Sequence, residues 1–518
     1  MTFLCVPIFV TTDLDKSRRD IATAIEAGAE MIELRIDGLE DTEFFEPLLL
    51  NQPVSLIVTC RPTWEGGYSE LPDDVRAPLL AFAAEANPSN YVDIELKAVR
   101  GNEKIVNYLL GDLNDDTRGG LILSLHDFNG RPERLYNLVA EMNRLPAEVN
   151  KIVWTARTIR DNVEALEMLA NRQRPTVALC MGEAGVVSRV LAKKFGGFLT
   201  FASLNAREAT APGQITIQEM KDLYRWDSIN SKTKVYGVVG HPLGHSMSPA
   251  IQNAAFEAAG WDGVYLPMLV EPSYESFKAF IESFLHFERL DLRGLSVTIP
   301  HKEHALRYLQ EKGAAVEELA ARIGAVNTIN IEHGKLSGSN TDYAAILQCI
   351  AEAAGIGLDQ FSDLRVGIIG AGGTGRAAVA GLAQHGATVL VYNRTRRRAV
   401  MLAQEFGEKV SAVELEALDG CDVWINASSL GMHPNVAESP LGDFQPKWSS
   451  KTIVFDAVYN PMRTKFLSHA ESVGAKTISG VEMFVRQAAR QFEIWTGQAA
   501  PRQVMREVLL KRLGSQTT

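Results

Sequence analysis

Two side chains in the first half of the chain are suited to carbonyl chemistry. His126, the only histidine in residues 1–226, follows the apolar run GLILSL, and Lys151 opens a second apolar run, KIVWTA. A lysine that faces a packed interior loses hydration, which favours the neutral amine that attacks carbonyl carbons. Two alternatives stay open, because a single histidine needs no function and Lys151 fits a loop end with its amine in solvent equally well.

Further charged residues accompany the apolar runs of the first half. They are Glu33 and Arg35 in IELRID, Arg61 and Glu65 in TCRPTWEGG, and Arg189 in VVSRV. Arginine binds carboxylates bidentately, so these cations suit an anionic substrate. Each alone is more often a solvated charge, but their shared placement at strand ends favours a functional role.

A glycine-rich turn in the second half is typical of nucleotide binding. Gly370-Ala371-Gly372-Gly373-Thr374-Gly375 lies between the apolar run RVGII and the helical pattern RAAVAGLAQ. Such a turn lets the backbone approach a pyrophosphate, whose charge the helix N-terminus favours. The alternative is a tight turn with a purely structural role.

The residues after the next strand indicate which dinucleotide is bound. About twenty residues past the turn, an NAD site carries an acidic residue for the ribose. This chain has Asn393-Arg394-Thr395 there, followed by further arginines up to Arg398. Arginines attract a 2′-phosphate, so NADP is favoured over NAD. If the arginines only begin a solvated helix, the choice stays open.

The strands that must position these residues can be read from the apolar pattern. Eight runs alternate with helical patterns up to about Trp226: LCVPIFV, MIELRI, VSLIVTC, YVDIEL, GLILSL, KIVWTA, TVALCM and FLTFAS. Eight strand–helix units in roughly 225 residues predict a (β/α)8 barrel with its active site at the C-terminal ends of the strands.

Composition changes along the chain predict the domain boundaries. The polar stretch DSINSKTK is predicted to be a linker, and a new strand, VYGVVG, follows it. A second change near 356–365 precedes the glycine turn. The predicted organisation is a barrel over 1–226, a linker over 227–234, a domain over 235–345 that helices of 480–518 complete, and a Rossmann domain over 346–480.

Charge and composition exclude several classes of function. The net charge of −11 over 518 residues argues against a nucleic-acid partner and leaves small molecules as the expected ligands. Five dispersed cysteines without a CxxC pair suggest neither disulfides nor a metal site. The N-terminal residues resemble no signal peptide, and no apolar run reaches the ~18 residues of a membrane span, so a cytoplasmic protein is expected.

The motifs of the first half resemble the type I 3-dehydroquinate dehydratases. They are IELRID, TCRPTWEGG, YVDIEL, SLHDF, the Lys151 strand, MGEAGVVSRVLAKKFGGFLTFASL and TAPGQ. The resemblance implies that Lys151 forms an imine with the substrate ketone and that His126 removes the adjacent proton and returns one to the leaving hydroxyl. Glu65 would support the histidine.

The same resemblance assigns the substrate contacts of the first half. Arg189 would bind the carboxylate, Thr210 and Gln214 would close over the substrate, and the hydroxyls would be held by Glu33, Arg35 and Arg61. Three positions depart from the family: Thr210 replaces serine, Val153 replaces a small alanine, and Trp154 follows it.

Nine ordered motifs of the second half resemble shikimate dehydrogenase. They are GHPLGHSMSPAIQNAAF, LSVTIPHKE, GAVNT, SGSNTDY, GAGGTGRA, NRT, NASSLGM, DAVYNP and GVEMFVRQAARQFEIWTG. The implied fold is a two-lobed α/β unit with a Rossmann NADP-binding lobe. The resemblance makes Lys302 and Asp342 the polar pair at the reacting carbonyl. The implied substrate contacts are Ser246 and Ser248 for the carboxylate and Thr298, Asn327, Gln487 and Tyr459 for the ring. Arg398 and Gly480 join the implied cofactor site.

Together the two resemblances predict a bifunctional enzyme of aromatic amino acid biosynthesis, because the product of the first reaction is the substrate of the second. One alternative is an enzyme that oxidises quinate with NAD, which is expected to lack either the Ser246 and Ser248 pair or the Arg394 signal. Another is a metabolite sensor without turnover, which is expected to have lost a catalytic group. The residues favour the bifunctional enzyme over both.

Overall fold

Eight parallel strands form a near-closed barrel in the first half of the chain. They are β1 (Phe3–Phe9), β2 (Met31–Arg35), β3 (Ser55–Thr59), β4 (Tyr91–Glu95), β5 (Gly120–Asp127), β6 (Val149–Thr155), β7 (Thr176–Met181) and β8 (Leu199–Phe201). Their order is β7-β6-β5-β4-β3-β2-β1-β8, and a hydrogen bond from Phe198 N to Thr176 O (2.8 Å) links the two end strands. The eight predicted strands and the barrel are confirmed.

The computed structural model describes residues 2–100, 102, 105, 109, 119–205, 213–244 and 246–515. Its chain forms two compact units. The first unit comprises 1–235, 262–271 and 279–291, and the second comprises 236–261, 272–278 and 292–518. The finer domain boundaries proposed from the sequence stay a prediction.

The barrel strands read as continuous apolar runs because helices cover their outer faces and side chains fill the interior. All five residues of β2 and all six of β7 are buried. The described helices that accompany the barrel are α1 (Leu14–Glu26), α2 (Glu46–Leu49), α3 (Asp73–Ala86), α4 (Leu96–Val99), α5 (Leu135–Met142), α6 (Asp161–Ala170) and α7 (Val186–Leu191).

Differences from the predicted strand boundaries affect the site in β5 and β6. Strand β5 extends to Asp127, so His126 lies inside it, and β6 begins at Val149, so Lys151 is its third residue. Polar residues at the mouth of a barrel can continue the ladder, since the backbone pairs whatever the side chain is. Register then places Glu95 opposite Ser124 and Ser124 opposite Lys151, in one layer across three strands.

A six-stranded mixed sheet follows, in the order β10-β9-β11-β13-β14-β12. Its strands are β9 (Lys234–Gly240), β10 (Gly263–Leu269), β11 (Leu292–Val297), β12 (Ala315–Val316), β13 (Thr328–Glu332) and β14 (Lys335–Ser339). Strands β11, β13 and β14 are antiparallel neighbours. The helices of this region are α8 (Ser248–Ala258), α9 (Tyr274–His286), α10 (Lys302–Glu311), α11 (Glu318–Ile323) and α12 (Thr341–Ala354).

The last sheet has the strand order of a Rossmann fold. Its six parallel strands lie in the order β17-β16-β15-β18-β19-β20. The first strand, β15, therefore lies in the middle, and the order in which successive strands are added to the sheet switches from one side of β15 to the other. The strands are β15 (Arg365–Ile369), β16 (Thr388–Tyr392), β17 (Val410–Ala412), β18 (Val423–Asn426), β19 (Ile453–Asp456) and β20 (Lys476–Ile478). The helices are α13 (Gly373–Gln384), α14 (Arg396–Phe406), α15 (Lys465–Ser472), α16 (Gly480–Thr496) and α17 (Arg502–Ser515).

None of the helices in the described part of the chain combines the length and apolar character that crossing a bilayer requires.

Candidate active sites

The C-terminal ends of the barrel strands surround an empty space of about 600 Å³, a figure that includes open solvent at the mouth. Eight of the nine side chains predicted for the first site line this cavity: Glu33, Arg35, Arg61, Glu65, His126, Lys151, Arg189 and Gln214. The ninth, Thr210, lies outside the described residues. The structure therefore brings the described members of the predicted set together.

The amine of Lys151 points into the barrel, and its side chain is only 5% exposed. Its Nζ lies 2.9 Å from Asp93 Oδ2 and 3.2 Å from Glu33 Oε1, and 4.6 Å from the ring centroid of Phe201. The alternative in which this lysine reaches solvent from a loop end is wrong. A primary amine stands in the cavity with two carboxylates beside it.

His126 is held by Glu65 at two points. The Glu65 Oε1 atom accepts the backbone N–H of His126 at 2.9 Å and lies 3.1 Å from the imidazole Nδ1. Burial lowers the pKa of His126 well below its usual value, and the charges of Arg61 and Lys151 lower it further. Burial raises the pKa of Glu65 to about 8, although Arg61 opposes this. The imidazole is therefore neutral at pH 7 and can accept a proton.

Arg61 lies at the centre of a buried network that sequence reasoning did not find. Its guanidinium donates to Asp93 Oδ1 (2.8 Å), Glu95 Oε1 (2.7 Å) and Ser124 Oγ (2.7 Å). Burial alone would raise the pKa of Asp93, but Arg61 and Lys151 more than offset it, so this pKa is lowered. The signal was in the run YVDIEL, where two acids two positions apart share one side of a strand.

Arg189 is a buried cation without a carboxylate beside it in the described residues. It lies in helix α7, and not at a strand end as predicted, because the chain turns into a short 3₁₀ segment and then α7 directly after β7. The residue is 2% exposed, and its Nε has no hydrogen-bond partner in the described structure. Burial lowers its pKa to about 10. An unpaired guanidinium facing a cavity suits a substrate carboxylate.

Arg35 differs from Arg189 in having an acid of its own. Asp37 accepts from Arg35 Nε at 3.1 Å and from its NH2 at 2.5 Å. The same carboxylate accepts the backbone N–H groups of Arg61 and Tyr68 at 3.0 and 3.1 Å. Arg35 is thus oriented at the mouth as part of a fixed turn.

The two unusual residues after Lys151 point to opposite faces of strand β6. Val153 lines the cavity on the same face of β6 as the lysine, because side chains two apart on a strand share a face. Trp154 is fully buried and alternates to the other face. Only the valine therefore takes up space beside the amine.

In the second unit, Lys302 and Asp342 form the predicted pair. Their Nζ and Oδ2 atoms are 2.6 Å apart, with the side chains 25% and 11% exposed. Lys302 is the first residue of α10 and Asp342 the second residue of α12. The side chain of Asn340 caps α12 by accepting the N–H of Asp342 at 3.1 Å. Both catalytic candidates thus depend on helix starts.

Asn327 is held in place by residues that the sequence analysis missed. Its Oδ1 accepts from Thr341 N at 2.8 Å, and its Nδ2 donates to Thr341 Oγ1 at 3.1 Å. Gln491 donates to Asn327 O at 3.2 Å and accepts from Ser296 Oγ at 2.7 Å. Gln491 follows Gln487 by four positions, a helical spacing that places both on one face of α16.

Three of the other predicted substrate contacts, Ser246, Ser248 and Thr298, lie at or beside element ends. Ser246 Oγ accepts the N–H of Ser248, the first residue of α8, at 3.4 Å. Thr298 directly follows β11, and its backbone N–H donates to Val239 O at 2.9 Å. Gln487 donates to Phe484 O at 3.2 Å, and the Phe484 ring lies 4.9 Å from that of Tyr459.

The glycine turn has the shape that a pyrophosphate needs. A Cβ at Gly375 would lie 2.1 Å from Gly370 O, so α13 packs against the turn too tightly for any side chain there. A Cβ on Gly372 or Gly373 would meet nothing within 4 Å, which leaves the N-terminus of α13 open to a ligand. Asn393 Oδ1 accepts the N–H of Ala371 at 3.0 Å and ties the two predicted cofactor segments together.

The arginines after β16 are mostly available to a ligand. Arg394, Arg397 and Arg398 are exposed, and no ion pair is found for them among the described residues, whereas Arg396 pairs with Glu414. Thr395 O accepts from Asn393 Nδ2 at 2.9 Å. At Gly480, a Cβ would lie 2.5 Å from Ala457 O and from Val458 O, so only glycine lets α16 begin there.

Family models match both halves of the chain. They describe a type I 3-dehydroquinase (4–231), a shikimate dehydrogenase substrate-binding domain (238–329), a shikimate/quinate 5-dehydrogenase (352–458) and a shikimate 5′-dehydrogenase C-terminal domain (480–510). A bifunctional chloroplastic 3-dehydroquinate dehydratase/shikimate dehydrogenase of Arabidopsis thaliana is 38% identical over 98% of the chain and 84% of the relative. The chain belongs to the family of bifunctional 3-dehydroquinate dehydratase/shikimate dehydrogenases.

Relatives of the second half alone are also similar to this bifunctional chain. The NADP(+)-dependent shikimate dehydrogenase of Methanocaldococcus jannaschii is 39% identical over 55% of the chain and 99% of the relative. The crystal structure of a Thermus thermophilus shikimate 5-dehydrogenase with NADP(H) and shikimate is 34% identical, with a TM-score of 0.48 over 54% of the chain and 99% of that structure. The predicted family, fold class and union of a lyase with an oxidoreductase are confirmed.

Proposed function

We propose that the barrel dehydrates 3-dehydroquinate through an imine on Lys151 and that the second unit reduces 3-dehydroshikimate with NADPH beside Lys302. The observation that carries the first part is a buried amine and an unpaired buried guanidinium in one cavity, at Lys151 and Arg189. A substrate with both a ketone and a carboxylate satisfies the two groups at once.

The dehydration starts with loss of a proton from the ammonium of Lys151. Asp93 and Glu33 lie 2.9 and 3.2 Å from its nitrogen and hold it in the cavity, and the protons that the nitrogen loses pass to the carbonyl oxygen. The amine adds to the ketone carbon, the former carbonyl oxygen leaves as water, and a protonated imine remains. That cation withdraws electrons from the neighbouring C–H bond and makes its proton acidic.

His126 then acts as base and as acid in turn. Its neutral imidazole takes the acidic proton, and the electron pair of the C–H bond moves toward the iminium nitrogen. The imidazolium returns a proton to the hydroxyl as the C–O bond breaks, so water leaves and the ring double bond forms. Hydrolysis of the imine releases 3-dehydroshikimate and restores Lys151.

Reduction in the second unit needs a proton donor for the oxygen that gains charge. Lys302 supplies both a positive charge and a proton to the forming alkoxide, and Asp342, 2.6 Å away, orients the ammonium and balances its charge. NADPH, when bound, supplies the hydride. Asn327, buried at 2% exposure and held by Thr341, offers the ring a fixed amide.

The exposed arginines after β16 support NADP as the cofactor of this chain. The 2′-phosphate requires cations at that place, and Arg394 and Arg398 have no acidic partner in the described structure. Arg394→Ser with Arg398→Ser should reduce the preference for NADPH over NADH by about tenfold or more, since a charge-assisted hydrogen bond contributes about 1.5–3 kcal/mol. Arg396→Ser, whose side chain pairs with Glu414, is the matched control.

The cellular location stays a prediction. The sequence leads us to propose the cytoplasm, or a plastid if this is a plant protein, and "chloroplastic" belongs to the name of the Arabidopsis relative. The substrates proposed here are small molecules.

One coupled assay tests both halves. The intact chain is given 3-dehydroquinate with NADPH, the nicotinamide absorbance is followed, and the assay is repeated with NADH. A second sample is treated with borohydride and 3-dehydroquinate without cofactor, and the adduct is located by peptide mass. We expect NADPH to be consumed in preference to NADH and the adduct to lie on Lys151.

Other outcomes of this assay reject particular parts of the proposal. Consumption of NADPH with 3-dehydroshikimate but not with 3-dehydroquinate means an inactive first half. An adduct on a different lysine overturns the imine assignment while leaving the reductase intact. Activity with quinate and NAD alone supports the quinate alternative.

A further inference from the structure

We infer that Arg76 positions the amine of Lys151, because it ends a chain of buried alternating charges that runs from helix α3 into the barrel cavity. The inference rests on the imine role proposed above for Lys151. Arg76 does not line the cavity and belongs to none of the sequence motifs of the first half. It would act through other residues, as a positioning residue.

The chain of charges has five members in contact. Lys151 Nζ lies 2.9 Å from Asp93 Oδ2, and Asp93 Oδ1 lies 2.8 Å from Arg61 NH2. Arg61 NH1 donates to Glu95 Oε1 at 2.7 Å, and Glu95 Oε2 accepts from Arg76 NH2 at 2.5 Å. Each carboxylate therefore bridges two cations, so four ion pairs in series connect Arg76 to the amine of Lys151.

Stability alone does not account for Arg76. Arg76, Glu95 and Asp93 are each 0% exposed, and Arg61 is 3% exposed. Removing such charges from water is expensive, and well-packed apolar residues often replace a buried ion pair without loss of stability. Within the described residues, the Nε and NH1 atoms of Arg76 have no hydrogen-bond partner at all. This cost is the reason to infer a role for Arg76 besides packing.

Charge balance shows what Arg76 adds to the cavity. With Lys151 as an ammonium, the network holds three cations and three carboxylates: Lys151, Arg61 and Arg76 against Glu33, Asp93 and Glu95. Without Arg76, Glu95 keeps only Arg61 as a partner. Asp73, the other acid near Arg76 at 3.5 Å, has a partly exposed side chain and does not reach the cavity.

The protonation of Glu95 links this network to pH. Burial raises the pKa of Glu95, while Arg61 and Arg76 both lower it and the charge of Asp93 raises it again. The carboxyl of Glu65 and the thiol of Cys60 also interact electrostatically with Glu95. Loss of Arg76 makes Glu95 take up a proton at a higher pH. A protonated, neutral Glu95 binds Arg61 more weakly than a carboxylate does. Because Arg61 also binds Asp93, the position of Asp93 beside the amine of Lys151 depends on this interaction.

The test compares Arg76→Met with Arg76→Lys in the full chain. For R76M we expect the acid limb of the kcat profile for dehydration to move up by about one pH unit, the lower end of the range for loss of an adjacent charge. At a pH on the acid limb, kcat of R76M should therefore be about tenfold lower than that of the wild type. KM should change little, and R76K, which keeps the charge, should restore most of the shift.

Two controls separate positioning from loss of structure. Arg174→Met removes another partly buried arginine of the barrel, one that donates to the backbone oxygens of Leu145 and Asn143, and it should lower thermal stability without moving the limb. NADPH-dependent shikimate chemistry in the same molecules serves as an internal measure of active protein. An R76M limb that stays in place, in folded protein, overturns the inference.

Glu95→Gln keeps the test decisive even if R76M fails to fold. The amide resembles a permanently protonated Glu95, so we expect a lowered kcat at every pH and no further acid limb from this group. A wild-type kcat and profile in E95Q contradict the inference on their own. Absence of a borohydride adduct on Lys151 in the wild-type chain instead rejects the imine proposal, which keeps the two failures distinct.

Discussion

The two active sites hold their lysines in opposite ways. The side chain of Lys151 is 5% exposed and lies between two carboxylates that other barrel strands supply. The side chain of Lys302 is 25% exposed and has one carboxylate, Asp342, with both residues at the starts of helices. The amine that we propose forms the imine is thus shielded from solvent, whereas the proposed proton donor for the reduction is more accessible.

The comparison predicts that removal of the buried amine has the largest effect. Lys151→Ala should lower kcat for dehydration by about 10⁴-fold or more, because loss of a covalent nucleophile removes the whole reaction path. Shikimate oxidation with NADP should be unchanged in the same sample. Lys97→Ala, an exposed lysine of the same unit, is the matched control. Loss of both activities in folded protein contradicts a model with two separate sites.

Removal of the more exposed lysine should have a smaller effect. Lys302→Met should lower kcat/KM for shikimate oxidation by about 10²- to 10³-fold, as expected for one donor at a developing oxyanion. Dehydration should be unaffected. Glu303→Gln, at the exposed neighbouring position, controls for changes at the start of α10. A residual rate near wild type in K302M means that another group donates the proton.

Arg189 and Arg61 sharpen the comparison inside the barrel. Arg189→Met should raise KM for 3-dehydroquinate by about 100-fold, equivalent to ~3 kcal/mol of a charge-assisted bond. The thermal stability of this variant should be unchanged or higher, because an unpaired buried cation is removed.

Arg61→Met should instead lower the free energy of unfolding of the first unit by about 3–5 kcal/mol, since Asp93 and Glu95 lose their partner. Equal destabilisation by the two changes argues against an unpaired Arg189.

Glu65 makes the stability of the first unit depend on pH. Folding raises the pKa of this carboxyl from 4.5 to about 8, so the folded state binds the extra proton between those values. The free energy of unfolding of the first unit should fall as pH rises through that window, by about 5 kcal/mol at most. Glu65→Gln should flatten the slope of the urea midpoint for unfolding of the first unit against pH, and exposed Glu43→Gln should not. A slope that persists in E65Q assigns it to another group.

His126 acts at the acid end of the same profile. Its pKa is lowered in the fold, so the folded state resists the charge that the unfolded chain gains below the usual histidine range. Stability should therefore also fall as pH drops below that range. E65Q should keep the loss of stability at acid pH. The variant therefore differs from the wild type only in how stability changes as pH rises.

Strand and motif patterns predicted much of what the structure contains. The eight barrel strands were visible because each is buried on both faces and reads as an apolar run. The glycine turn was visible because a Cβ at Gly375 would touch Gly370 O, which leaves no freedom of residue type. The limits of β5 and β6 were missed by one or two residues, since polar residues at a barrel mouth hide the continuation of a strand.

Contacts between distant segments were beyond the sequence. Arg189 was expected at a strand end and lies on α7. Asp93, Glu95, Ser124 and Arg76 were not selected, because an acid or an arginine within an apolar pattern gives no sign of the partner it meets across the barrel. Gln491 was passed over although it shares a helix face with Gln487.

The sequence by itself determined the order of elements, the glycine turn and the types of the catalytic groups, because these depend on local periodicity and on chemistry that few residues can perform. The tertiary structure decided which charges are paired and which one is left for the substrate. It also decided that ion pairs connect Arg76 on α3 to Lys151. Those properties depend on burial and on distances of a few ångströms between strands, and the folded chain sets both only when the barrel forms.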